Sequence, residues 1–386
     1  MKRVKIIFCL SLCAIFLVGV GLGYTAPKEK LPIKIGQITD FTNPTLAVIA
    51  VKERAAAQMA VREINAKGGL LGRNLELIVA DNSSDTTLAI SQARRLKEQG
   101  IIALVAGTSS TEAIAYAKWS KDEGQIPIIQ AYGATDAING HPWVFRCSFN
   151  DTVTAEVSLL VMQKLRKTKV GIVHTTLAYG IDLSGKLEKY APKYGIKIVG
   201  KEALEFKSPD ATVQSMKLKD AGAEGIISCD YSVGFATFVR ALNMLGWRPP
   251  ITGSWGQIDN ALALFLPPTL MDGAIAQSVC DHSEPRIKKF LEDYAKFTKK
   301  EGDIDDAIML GYSSVLVLAH AIKEAKTADD PIAIRDALYK VKMKDLPLGR
   351  KDTILYFTPE RNWLIPSEDF SFMVVKGGKL VPFKLE

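Results

Sequence analysis

The chain has 386 residues, 47% of them hydrophobic and 24% charged, with a formal net charge of +7. That balance excludes a disordered or low-complexity chain, and the length exceeds what one hydrophobic core usually supports, so two domains are expected. Lysines and arginines are scattered among comparable numbers of acids with no interleaved aromatic stripe, which excludes nucleic acid as a partner.

In chain order, Lys2, Arg3 and Lys5 precede an apolar run from Ile6 to about Leu22 and then small residues around Ala26. This is the layout of a secretory signal peptide over residues 1–26, so a periplasmic location is expected, with an uncleaved anchor as the alternative. Losing those three basic residues lowers the charge from +7 to +4. Cys9 and Cys13 lack the small residues that a lipidation site wants before it, and the glycines at 19, 21 and 23 follow no sheet strand.

Short β-branched runs follow at Ile33–Ile38, Leu75–Val79, Ile101–Ala106 and Ile126–Ile129, as expected of strands buried on both faces of a parallel sheet. Helical patterns separate them. Ala57, Ala60, Val61 and Ile64 line one helix face, and Gly68-Gly69 supplies the stop. A second alternation predicts strands at Val170–Val173, Ile196–Val199, Gly225–Cys229, Ile251–Gly253 and Ala274–Val279. Helices are expected at Ser184–Tyr194, Ala211–Ala221 and Ser232–Gly246 between them. Helices over Glu284–Lys300, Asp306–Lys326 and Pro331–Val341 precede a β-rich tail, Thr353 to Leu385. In such sheets ligands bind outside the carboxyl ends of the strands, which directs attention to the loops there.

Those loops carry a family likeness. The segments IKIGQITDFTNP from Ile33, EINAKGGLLGRNLELIVAD from Glu63, GTSST from Gly107 and YGAT from Tyr132 resemble the type I periplasmic solute-binding proteins of the leucine/isoleucine/valine-binding family. VFRCSFND from Val144, AYG from Ala178 and GYSSV from Gly311 extend the likeness over nearly the whole chain. The resemblance implies an α/β fold of two doubly wound parallel-sheet lobes joined by a three-segment hinge. One lobe would comprise residues 32–146 and 281–357, the other 147–280 and 358–386, with crossovers near Phe145–Ser148, Val279–Ser283 and Tyr356–Arg361. It further implies a monomer that holds a small-molecule ligand between its lobes and delivers it to the membrane permease of an ABC transporter.

Gly107-Thr108-Ser109-Ser110-Thr111 opens a helix, and hydroxyls with free amides at a helix N-terminus suit a carboxylate. Plain N-capping would need only one of these hydroxyls. The resemblance puts the carboxylate-holding serine at Ser110 or Thr111, with Ser109 beside it, and gives the polar end of an amino acid to the Gly133 backbone and the Thr135 hydroxyl. Tyr179 and Tyr231 match positions that close over the ligand; each offers an apolar face and one hydroxyl.

Two departures move the cleft toward apolar surface. Trp255 stands where amino-acid-binding relatives present a carboxylate to the ligand's ammonium, and Leu46-Ala47-Val48-Ile49 replaces an aromatic lid. Asp230 or Asp259 would have to supply the missing charge; otherwise the ligand is an aromatic or aliphatic acid without an amine. His141, His174, His282 and His320 have no metal-ligand spacing, Cys147, Cys229 and Cys280 read as small buried residues, and no nucleophile elbow or phosphate loop occurs. The expectation is a binding protein with no cofactor, no metal and no catalysis, the rival reading being a ligand sensor of the same fold that regulates a partner protein.

Overall fold

A computed structural model of the chain describes residues 31–43, 46–302 and 304–385. The signal peptide read over residues 1–26, with Cys9 and Cys13, lies outside the described residues.

The first half alternates strand and helix: β1 (Ile33–Thr39), α1 (Ala47–Ala66), β2 (Leu75–Asp81), α2 (Thr86–Glu98), β3 (Leu104–Ala106), α3 (Ser110–Trp119), β4 (Ile128–Gln130) and β5 (Val144–Arg146). After α4 (Asp151–Lys164) the alternation resumes with β6 (Lys169–Thr175), α5 (Ala178–Tyr190), β7 (Lys197–Leu204), α6 (Thr212–Asp220) and β8 (Gly225–Cys229). It continues through α7 (Ser232–Met244), β9 (Ile251–Ser254), α8 (Trp255–Leu264) and β10 (Ile275–Ser278). Three helices follow, α9 (Pro285–Thr298), α10 (Asp306–Ala325) and α11 (Pro331–Leu338), and then β11 (Lys342–Met343), β12 (Leu355–Tyr356), β13 (Ser371–Lys376) and β14 (Lys379–Phe383).

The strands form two separate large sheets. One is all parallel, in the order β2-β1-β3-β4-β5; the other runs β14-β13-β10-β9-β8-β6-β7, parallel except for β13 and β14 at its edge. The five parallel strands of the second sheet repeat the order of the first, because β6 takes the place of β1 between its successors. In both sheets the order reverses beside the first strand, between β1 and β3 and between β6 and β8, and the carboxyl ends of such strands frame a crevice. Because β5 pairs with β4 from Val144 to Arg146, the first sheet has one strand more than the apolar runs predict.

The cores explain which helices belong where. Residues of α9, α10 and α11, such as Ile287, Ile308, Leu318 and Ile334, share a buried cluster with Ile33, Ile35, Val105 and Ile129 of the first sheet. The chain thus returns to the first sheet after completing most of the second. Against α1, helix α10 packs so closely that a Cβ on Gly311 would lie 2.5 Å from the Glu53 carbonyl oxygen. Gly311→Ala is therefore expected to cost about 1–3 kcal/mol through overpacking, read as a lower midpoint in urea unfolding with an unchanged slope.

Cys147, Cys229 and Cys280 are free and buried. Asp305 caps α10 by accepting from the Ala307 amide, and Asp330 caps α11 by accepting from Ile332 and Ala333, as expected of acids at helix starts.

Candidate ligand crevice

The loop after β3 enters α3 directly, and Gly107 takes a positive φ of 68° there, with the Gln130 side chain where a Cβ would stand. Ser109 is the N-cap, its hydroxyl accepting from the Glu112 amide at 3.3 Å. Ser110 faces the loop after β4, where its Oγ accepts from the Thr135 amide at 3.2 Å and keeps its own proton for another acceptor. Thr108 donates to Asp40 at the end of β1. That loop after β4 turns through Gly133, φ 80°, a conformation that favours glycine.

Beneath this loop lies Arg146, fully buried at the end of β5. Its guanidinium donates to the carbonyls of Ala134 at 2.8 Å and Thr135 at 3.1 Å, and to the side chains of Asn139 and Asn362. Burial lowers its pKa to about 10 despite the pull of Asp151, Asp136 and Asp182, so it stays charged at neutral pH.

From the second sheet come Tyr179 in the first turn of α5, Asp230 after β8, Tyr231 at the N-cap of α7, and Ser254 and Gln257 around the start of α8. The tyrosine rings meet at 5.8 Å between centroids. Asp230 is only 3% exposed; its Oδ1 accepts from the Tyr231 amide at 2.7 Å while its Oδ2 is buried without a partner among the described residues. Gly234 makes room for that carboxylate, since a Cβ there would lie 2.3 Å from Oδ2.

Together these residues line a crevice of about 70 Å³ with Thr108, Ser110, Tyr132, Gly133 and Ser148 on the first-sheet side, and Tyr179, Asp230, Tyr231, Ser232 and Gln257 on the other. Ile49 and Phe149 add apolar wall. The volume falls well below the roughly 300 Å³ at which ligand pockets begin. A larger cavity of about 350 Å³ opens at the amino ends of β9 and β10 among Trp247, Pro249, Pro250 and Met271, away from these carboxyl-end loops.

The electrostatic environment is acidic. Burial raises the Asp230 carboxyl to about 7. Burial, reinforced by Asp40, also pushes Glu53 and Glu112 well above the usual carboxylate range behind the first-sheet loops. Tyr179 and Tyr231, raised first of all by burial, remain protonated donors.

Of the residues singled out from sequence, the fold brings Ser110, Gly133, Tyr179, Asp230 and Tyr231 to one crevice. Ser109 is occupied in capping, Thr111 is exposed, and Thr135 turns its hydroxyl to Asp182. Trp255 opens α8, and its side chain lies outside the described residues. Asp259 sits apart beside Lys52, at 3.8 Å. Tyr179 was expected in a loop but belongs to a helix; Gly180, which reads as a turn, allows α5 to start against the Thr175 carbonyl, 2.4 Å from where a Cβ would be. Sequence reasoning passed over Ser148, Phe149, Ser232 and Gln257. Nothing in their local pattern marks them, although Ser232 sits one residue past a predicted strand-end tyrosine.

Residues 32–379 match the family described as periplasmic binding protein. The chain belongs to that family. Among curated proteins it is 24% identical over 308 residues to the leucine-, isoleucine-, valine-, threonine- and alanine-binding protein of Pseudomonas aeruginosa, covering 79% of this chain and 82% of that one. A periplasmic binding protein type 1 from Bordetella pertussis Tohama I superposes with a TM-score of 0.82 at 22% identity, covering 91% of this chain and all of the other. The branched-chain amino acid transporter substrate binding protein LivJ from Streptococcus pneumoniae, solved in complex with isoleucine, gives a TM-score of 0.77 at 23% identity, covering 90% and 97%. The fold is accordingly that of the type I periplasmic binding proteins.

In this periplasmic binding protein two clasps join the first-sheet and second-sheet sides around the crevice. On one flank Asp182 of α5 accepts from the Thr135 hydroxyl at 2.8 Å and the Asp136 amide at 2.7 Å, and Lys186 reaches Asp136 at 3.0 Å. On the other, Lys52 of α1 lies 3.2 Å from Asp305 and 3.8 Å from Asp259 of α8, and Asn260 donates to Asp305 at 3.2 Å. These contacts span the crevice from one side to the other, so their energy favours the arrangement in which the two sides meet. Asp182→Ala is expected to weaken binding of the best ligand by about 1–2 kcal/mol, roughly five- to thirty-fold, through faster release, as stopped-flow tryptophan fluorescence would report.

Proposed function

We propose that this protein is the extracytoplasmic solute-binding component of an importer. It captures a small amino acid in the crevice and presents it to the membrane permease of an ABC transporter. In this reading residues 32–146 with 281–357, and 147–280 with 358–386, are lobes that bend about the three crossovers, and residues 1–26 direct export of a monomer. The carboxylate is taken by the Ser110 hydroxyl and neighbouring main-chain amides, and the tyrosines Tyr179 and Tyr231 close over an apolar side chain. The carrying observation is Asp230: a carboxylate buried in the crevice wall with one oxygen unpaired is costly unless a cation meets it, and an ammonium does so. This favours an amino acid over an acid without an amine, in keeping with the leucine-, isoleucine-, valine-, threonine- and alanine-binding Pseudomonas relative and the isoleucine complex of the Streptococcus protein.

A thermal-shift screen of apolar amino acids against their des-amino acids and against aromatic acids tests the reading. A true ligand at a hundred times its dissociation constant stabilises by about 2.7 kcal/mol. An amino acid is expected to give the largest rise in Tm. If no member of any set moves it, solute capture is refuted; if a des-amino acid wins, capture stands and the role of Asp230 falls.

A further inference from the structure

We propose that Cys280, His282 and Asp306 form a binding site for one divalent cation of the zinc class, distinct from the ligand crevice. The three side chains are buried, and their sulfur, one imidazole nitrogen and one carboxylate oxygen all lie within 4.8 Å of one another. His282 Nε2 stands 3.6 Å from Asp306 Oδ1. Tetrahedral zinc, with bonds of about 2.0–2.3 Å, spaces its ligands by roughly 3.3–3.8 Å, so these two are already at ligand separation and the thiol needs only a small shift. The Ser278 hydroxyl, 2.9 Å from His282 Nε2 and donating to Asp306 Oδ1 at 2.7 Å, stands at the same point as a candidate fourth donor or as the group that orients the carboxylate.

The frame around these donors is fixed. Val279 donates its amide to Asp306 Oδ2 at 3.1 Å, which leaves Oδ1 turned toward the histidine. Gly349 donates to the Val279 carbonyl at 2.7 Å and pairs with Cys280 in an isolated bridge, so the backbone of the segment is held from both sides. Asp306 is the first residue of α10, where the helix dipole favours an anion. Sulfur and imidazole select a borderline-soft ion over magnesium or calcium. A thiolate and a carboxylate with a neutral imidazole balance a dication to zero, which removes the penalty that a lone buried ion would carry. Hydrogen bonds among the aspartate, serine, histidine and thiol would hold the same four groups together, and a thiolate-to-metal signature distinguishes an ion from that network. The cluster is not legible in the sequence, because the carboxylate arrives from a later helix, α10, rather than from the segment that carries the thiol and imidazole.

Cobalt(II) titration of the purified, chelator-treated full chain tests the proposal. Expected are one equivalent of cobalt, tetrahedral d–d absorption, a thiolate-to-cobalt charge-transfer band, and displacement by zinc. Cys280→Ser should abolish the charge-transfer band and His282→Gln should weaken zinc binding at least tenfold, whereas replacing both His174 and His320 by Gln should change neither. A folded wild-type chain without the thiolate band overturns the site, as does zinc affinity unaltered in both site variants. Because the wild-type spectrum decides alone, a variant that fails to fold does not rescue the idea.

Discussion

Arg146→Met is expected to destabilise the protein by about 3–5 kcal/mol and to abolish measurable ligand binding in whatever fraction folds. The guanidinium ties the carbonyls of Ala134 and Thr135 to Asn139 and Asn362 in a fully buried position, so its loss strands several polar groups at once. It also removes the cation that favours the charged form of Asp151, a fully buried carboxyl that burial and the neighbouring Asp182 and Asp136 already push well above the usual range. The loop released by the change is the one that presents Gly133 to the crevice and the Thr135 amide to Ser110. Arg146→Lys separates the two effects: a single ammonium restores charge but not the fork of donors, so stability should recover in part while affinity stays low. Urea unfolding together with isothermal calorimetry checks both. Calorimetry giving wild-type affinity for the lysine variant would show that the fork does not set the loop.

Asp230→Asn is expected to make the ligand-free protein more stable at pH 7.5 while weakening amino-acid binding by about 1.5–3 kcal/mol, roughly ten- to over a hundred-fold. The opposing signs follow from one fact. The folded-state pKa of Asp230 is about 7 against an ordinary 3.8, so the fold penalises the charged form. Its contribution lowers ligand-free stability progressively as pH rises from about 4 to about 7 and is constant above that. An ammonium reverses the preference, and affinity should therefore fall as pH drops below 7 in wild type and vary less in the asparagine variant. The difference between the two profiles isolates this group from Asp259, which also titrates at about 7 through burial and the proximity of Asp305. Thermal unfolding at pH 5 and pH 7.5, with and without ligand, reads out all of these.

Much of the fold could be read in the chain itself because buried parallel strands leave continuous apolar runs. Gly225–Cys229 matches β8 residue for residue, and Ile251–Gly253 falls one residue short of β9. Short elements escaped for the same reason in reverse: Val144–Arg146 has three residues and no alternation, so only its pairing with β4 identifies it. Helix starts were blurred where glycine stands inside the first turn, as at Gly180 in α5, since close packing on Thr175 needs the residue that a turn also prefers. The crevice was half visible. Loops at strand ends are predictable from topology, but Gln257 and Ser148 reach it only because two sheets face each other, and the same holds for Thr135 turning to Asp182.

The matching strand order of the two sheets has a final consequence. Each half is built on a parallel sheet of the same strand order with its own mouth at the carboxyl ends of the strands, and each contributes one wall of the crevice. Hydroxyls stand at one and the acid with its aromatic pair at the other, so under the proposed function a guest is gripped only while both face it. Under the proposed function, release then needs only the parting of the two mouths and no chemical step.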